Sequence, residues 1–206
     1  MMITRILFFA VLIGLASCSN PKGEGTAATK QPDTATDRSE PEGMIVMPQT
    51  EPDTIKGSPK AYAVGKIGGA NFTINYYSPA TRGRMIWGGL VAYDNVWVTG
   101  AHKATSIEFD KDIKIGGTMV PSGKYAFFTI PGKNLWTIII NKNWNQHLAD
   151  DYSQAEDVVR LAVAPEVEEL PQERLRYVIK GDGDKAGEIM LYWEKLEVSL
   201  PFEIVN

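Results

Sequence analysis

Tyr125-Ala126-Phe127-Phe128-Thr129-Ile130, then Pro131-Gly132-Lys133-Asn134, then Leu135-Trp136-Thr137-Ile138-Ile139-Ile140-Asn141, is the stretch that decides the fold. Two runs of β-branched and aromatic residues flank four turn residues, so it reads as an antiparallel hairpin. Side chains alternate between faces along a strand, which puts Trp136, Ile138 and Ile140 on one face and Thr137 and Ile139 on the other. The same pattern extends both ways. Upstream, Tyr62–Ile67 and Asn71–Tyr77 flank Gly68-Gly69, Ala104–Phe109 forms another run, and Ile113–Ile115 and Thr118–Val120 flank Gly116-Gly117. Downstream lie Val158–Val163, a hairpin of Arg174–Lys180 and Glu188–Trp193 around Gly181–Gly187, and a closing strand from Leu196 to Ile204. A short piece from Ser153 to Asp157 is the one helix-like segment. About nine or ten strands joined by tight turns predict an all-β fold, a single antiparallel β-sandwich, with a barrel-like closure as the alternative.

Ahead of this domain the composition changes. Arg5 precedes an apolar run from Ile6 to Leu15, and Leu15-Ala16-Ser17-Cys18 follows. A cationic start, a short apolar core and small residues at the end make a secretory signal over 1–17. The run is shorter than the roughly 20 apolar residues of a membrane span. Cys18 is the only cysteine in the chain, and it falls at the expected cut. The pattern resembles a lipoprotein signal, which implies a diacylglyceryl thioether at Cys18. Residues 18–57 are rich in Pro, Gly, Thr, Glu and Asp, with one apolar spot at Met44–Met47. They are expected to form a flexible tether, since such composition buries too little surface to offset chain entropy. As a coil of roughly 39 residues it would span about 35 Å. The globular domain is then 58–206. Net charge is −4, which gives no electrostatic footprint for nucleic acid.

Three stretches resemble a known family. They are Tyr76–Tyr93 running into Val96–Thr105, then Pro121–Gly132, then Trp136–Lys142 with Tyr152 and Asp157-Val158 beyond. Together they are similar to the DUF2911 family of Bacteroidetes-type exported proteins, over nearly all of Ser58–Glu203. The resemblance implies export or lipidation and carries no established activity. Two positions depart from the family's pattern. Val98 stands where an Arg is common and His102 where an Asn is common, so a family site there would be altered in this chain.

The segment from Arg82 to His102 concentrates the residues suited to recognition: Arg82, Arg84, Trp87, Tyr93, Trp97 and His102, with glycines between them. Trp and Tyr offer flat faces with polar edges, and Arg offers a planar donor fork. Those types suit a glycan, a peptide or an anionic group. Trp87 and Trp97 equally suit a sandwich core, with Arg82 and Arg84 on a solvated edge. The spacing shows no nucleophile elbow, no metal-ligand cluster and no phosphate-cradling loop. Asp182-Gly183-Asp184 begins like a calcium loop, but Ala186 and Trp193 occupy liganding positions, so it reads as a turn. No cofactor or metal is expected. The sequence therefore points to a lipid-anchored envelope protein at the outer membrane that binds a glycan, a peptide or another envelope protein. A small envelope hydrolase using His102 with Arg84 is the alternative.

Overall fold

The computed structural model describes residues 41–205. Residues 1–40, and with them Cys18 and the expected signal, lie outside the described part. The strands are β1 (Lys60–Ile67), β2 (Ala70–Tyr77), β3 (Ser106–Phe109), β4 (Ile113–Ile115), β5 (Thr118–Val120), β6 (Gly123–Ile130), β7 (Trp136–Asn141), β8 (Asp157–Val163), β9 (Glu166–Asp182) and β10 (Ala186–Ile204). A single 3-10 turn, Gln154–Glu156, precedes β8 where the helix-like piece was expected. Six strands form one sheet in the order β1-β2-β3-β6-β7-β8, and four form the other in the order β5-β4-β10-β9. All strand pairs are antiparallel, and the sheets stack as a sandwich.

Turn chemistry fixes the register. Ile67 opposes Ala70 across Gly68 and Gly69, whose φ values are +55° and +74°. Ile115 opposes Thr118 across Gly116 and Gly117, at +55° and +85°. Two consecutive left-handed residues are what a two-residue hairpin with right-handed strand twist requires. Between the sheets, Phe72 packs on Phe202 with ring centroids 4.7 Å apart, and Tyr76 meets Tyr177 at 4.8 Å. Ile74, Ile107 and Ile138 from one sheet and Leu175, Ile189 and Leu200 from the other complete this layer, all at most 1% exposed.

One feature goes beyond the sequence reading and a second differs from it. The outer face of the six-stranded sheet is not solvated at its centre. Ile139, Phe128 and Ala126 are fully buried there under Val98 and Ala104, with Val96 and Tyr152 packed beside them. The β2–β3 and β7–β8 connections therefore form a third layer, and β7 is apolar on both faces. The difference lies in residues 44–57, which the composition placed in a flexible tether. Met44 pairs with the edge strand β1: its N–H donates to Lys60 O at 3.0 Å, and its carbonyl accepts from Tyr62 N at 3.0 Å. Val46 is 4% exposed. Gln49 O accepts from Glu173 N on β9 at 2.9 Å. This strap runs from an edge strand of one sheet to an edge strand of the other.

One buried cation holds the strap. Arg174 is fully buried. Its Nη2 donates to Asp53 Oδ1 at 2.9 Å and to Ile55 O at 2.5 Å, and its Nη1 to Ser78 O at 2.5 Å and Gly57 O at 3.3 Å. Nε completes the ion pair with Asp53. A guanidinium can be buried only with a counter-charge and acceptors, and here the strap supplies most of both.

Candidate functional site

The connection between β2 and β3, residues 78–105, is long for a β-sandwich, and long ordered connections commonly carry function. It is fixed residue by residue. Ser78 Oγ donates to Leu175 O at 2.7 Å, and Thr81 N donates to Glu173 O at 2.9 Å, so the connection starts paired along β9. The Glu173 carboxylate accepts from the Thr81 hydroxyl and, at 3.0 Å, from Arg82 N. Arg82 is thereby held at φ +49°.

A tight knuckle follows. Leu90 N donates to Met85 O at 3.0 Å and Val91 N to Ile86 O at 2.9 Å. Ile86, 2% exposed, anchors the knuckle in the core, while its neighbours Met85 and Leu90 stand 75% and 50% exposed at the tip. Gly88 has φ +76° and packs under Tyr93: a Cβ there would lie 2.7 Å from the ring. Only glycine satisfies both demands. Beyond the knuckle, Trp97 pairs with Thr129 by reciprocal backbone bonds of 2.7 and 3.1 Å.

Thr99 is the tightest point. It has φ +52°, which is rare for a β-branched residue, and it is fully buried. Its carbonyl accepts from Tyr177 Oη at 2.8 Å and Thr105 Oγ1 at 2.9 Å. Its hydroxyl contacts Trp97 O at 3.0 Å and Thr129 Oγ1 at 3.1 Å. Burial raises the Tyr177 hydroxyl pKa, which keeps the phenol a donor to this carbonyl. Among the described residues six non-glycine positions are left-handed, and four of them (Arg82, Asp94, Thr99 and His102) lie in this one connection. Backbone held in a sparsely populated region persists only where its surroundings over-determine it, and such positions cluster at binding sites.

The six side chains singled out from the sequence go to different places. Trp87 and Trp97 turn inward and pack with Trp136 and Trp193. Trp97 stacks on Trp193 at 5.6 Å, and Trp87 meets Trp136 edge-on at 4.8 Å. The half-buried Trp87 and Trp97 indoles pack against the sandwich core. Tyr93 lies half-buried on Gly88. Arg84 folds back, with Nε on Thr81 O at 3.0 Å and Nη2 on Ala80 O at 2.6 Å. Arg82 reaches Ile55 O of the strap at 2.9 Å. His102, exposed, sets its ring edge-on to Tyr77 at 5.0 Å, and its carbonyl accepts from Leu148 N at 2.7 Å. Arg84 and His102 thus have separate partners and share no hydrogen bond. The other histidine, His147, pairs with Asp150 at 2.8 Å on the exposed adjacent connection. Among the described residues no group of three His, Cys, Asp or Glu side chains is placed to hold a metal ion.

Met85 and Leu90 were not singled out from sequence. In sequence nothing distinguishes these apolar residues from Ile86, and only the turn geometry separates outward from inward. Fold and loop together define a β-sandwich carrying a rigid, strained surface connection. The chain belongs to the family described as a protein of unknown function (DUF2911), whose profile matches residues 58–202. No curated protein and no solved structure matches the chain.

Proposed function

We propose that this protein is a non-catalytic binding module of a bacterial envelope, lipid-anchored through Cys18 at the outer membrane, that recognises its partner with the β2–β3 connection. The observation that carries the binding role is the pinned knuckle. Backbone bonds from Leu90 N to Met85 O and from Val91 N to Ile86 O, above the buried Ile86, hold the exposed Met85 and Leu90 in place. A pre-ordered surface loses little conformational freedom on association, so more of its contact energy appears as affinity. Met is enriched at protein interfaces, and the exposed apolar pair Met85 and Leu90 favours a peptide or an envelope protein over a glycan. The anchor rests on the signal-like sequence ending at Cys18, because two or more acyl chains are what make membrane attachment stable.

Both parts are testable in the native envelope. Cys18→Ala should release the protein from the membrane fraction or block its processing, and native protein should carry the mass of the added lipid. A photo-crosslinking residue at Met85 or Leu90 should yield a discrete adduct. The same residue at Val64, 53% exposed on β1, should not. The same adducts from all three positions, or none from Met85 and Leu90, would remove the knuckle from the recognition surface.

A further inference from the structure

A second site lies away from the knuckle, on the outer face of the β9–β10 pair. Arg176 and Tyr192 are direct cross-strand partners. Their neighbours Leu175, Tyr177, Leu191 and Trp193 point into the core, so Arg176 and Tyr192 point out. Beyond them the pairing is displaced twice. Tyr192 opposes Arg176, Glu194 opposes Gln172, and Leu196 opposes Val167. Over each two-residue step of β10, β9 uses four and then five residues. The surplus chain, Glu168–Pro171, bulges from the ladder, and Glu194 is left at φ +57°. Pro171 lacks an N–H and so leaves no donor unpaired in the bulge. Between this bulge and the strap segment Pro48–Glu51 lies a cavity of about 430 Å3. That size is within the roughly 300–1,000 Å3 range of small-molecule sites.

The lining is chemically unbalanced in a specific way. The Arg176 guanidinium lies 4.4 Å from the centre of the Tyr192 ring. Among the described residues it forms no hydrogen bond and no ion pair, and its Nε is buried without an acceptor. Burial lowers its pKa, with Tyr192 and the carboxylates of Glu197 and Glu168 acting the other way. Glu168, Glu194 and Glu51 also line the cavity and make no ion pair there. Leu170, 70% exposed, and Leu196 give it an apolar wall. A half-buried guanidinium with a buried, unsatisfied Nε and no carboxylate in ion-pair contact favours an anion, ideally a carboxylate matched to its donor fork. A purely anionic ligand would meet three carboxylates, and a purely cationic one would meet Arg176. A neutral polyol would leave the guanidinium without a counter-charge.

We propose that this cavity binds a zwitterionic aliphatic ligand the size of an amino acid or dipeptide. Its carboxylate pairs with Arg176, its ammonium with Glu168 and Glu194, and its side chain lies on Leu170 and Leu196. The site goes beyond the knuckle surface and does not depend on it. Because Pro48–Glu51 forms one wall, binding also holds the strap closed.

The test is calorimetric titration of the full chain, in mild detergent, with leucyl-leucine, its N-acetyl form, its C-terminal amide and a disaccharide. Leucyl-leucine should bind saturably, and each capped form at least tenfold more weakly. Arg176→Gln should lose at least tenfold for the dipeptide with its melting temperature near that of the wild type. If Arg176→Gln fails to fold, Glu194→Gln decides: it should weaken the free dipeptide while leaving the N-acetyl form unchanged, a difference that a merely structural role would not produce. Met85→Asp should bind the dipeptide normally, which separates this site from the knuckle. No saturation at millimolar dipeptide, equal binding of the capped forms, or preference for the disaccharide would overturn the proposal.

Discussion

Replacing Asp53 by Ala isolates the energetics of the strap. Arg174 is fully buried, and among the described residues its only carboxylate partner is Asp53, which lies on the strap. Removing one member of a buried ion pair costs about 3–5 kcal/mol, because the other charge is left uncompensated. Arg174 would keep its bonds to the carbonyls of Ser78, Ile55 and Gly57. Those dipoles place the expected cost near the lower end, about 3 kcal/mol. For a chain of this size each kcal/mol lowers the melting temperature by about 2–4 °C, so the mutant should melt roughly 6–12 °C lower. Scanning calorimetry reads the shift. Limited proteolysis should cut the mutant within Met44–Gly57 under conditions that spare the wild type. The double variant Asp53→Leu with Arg174→Met should recover most of the loss, since a buried pair replaced by apolar residues is often neutral or better. A single mutant melting within about 2 °C of wild type would refute the argument that this pair holds the strap.

Other expectations follow from the packing. Ile139→Ala should cost about 2–5 kcal/mol by urea unfolding, as a core truncation does, because the loop layer buries this face of β7. A loss near zero would show that the loops do not seal it. Trp97→Ala should cost about 3–5 kcal/mol through loss of its stacking on Trp193, and a mutant of wild-type stability would return Trp97 to the surface. Glu197→Gln should change stability with pH. Burial raises the Glu197 carboxyl pKa, the Tyr192 hydrogen bond lowers it, and Glu168 and Glu166 raise it further. A raised carboxyl contributes stability below its unfolded pKa and loses it as pH rises through the folded value. The Gln variant should therefore melt higher than wild type at pH 7, with the difference fading below about pH 4. An equal difference at both pH values would remove the carboxyl as its cause.

Local pattern made the strands legible. The di-glycine hairpins, the Tyr125–Asn141 hairpin and the β8 run all fall where alternation and turn residues put them. The sequence places separate strands over Glu188–Trp193 and Leu196–Ile204. In the structure the chain passes through as a single β10, with the irregularity absorbed as bulges. Bulges leave no compositional mark, so the cavity beside Arg176 could not be foreseen. The strap is hidden for a related reason: its docking depends on Arg174, more than a hundred residues away, which the local composition around Val46 and Asp53 does not reveal. Trp87 and Trp97 sit in the expected segment, but a residue type that suits both ligands and cores does not reveal which way it turns. Ile86 between exposed Met85 and half-buried Trp87 makes the same point at single-residue scale.

The third layer has a consequence for diversification. In many sandwiches the loops can be exchanged without disturbing the sheets beneath. Here Val98 and Ala104 belong to the same apolar cluster as Ile139, and Thr99 is tied to the opposite sheet through Tyr177. Transplanting the connection onto another scaffold, or swapping in a foreign sequence, would remove part of the folded body along with the surface. Sequence change that leaves the folded body intact is therefore confined in this connection to a few outward positions, the exposed Met85 and Leu90 foremost.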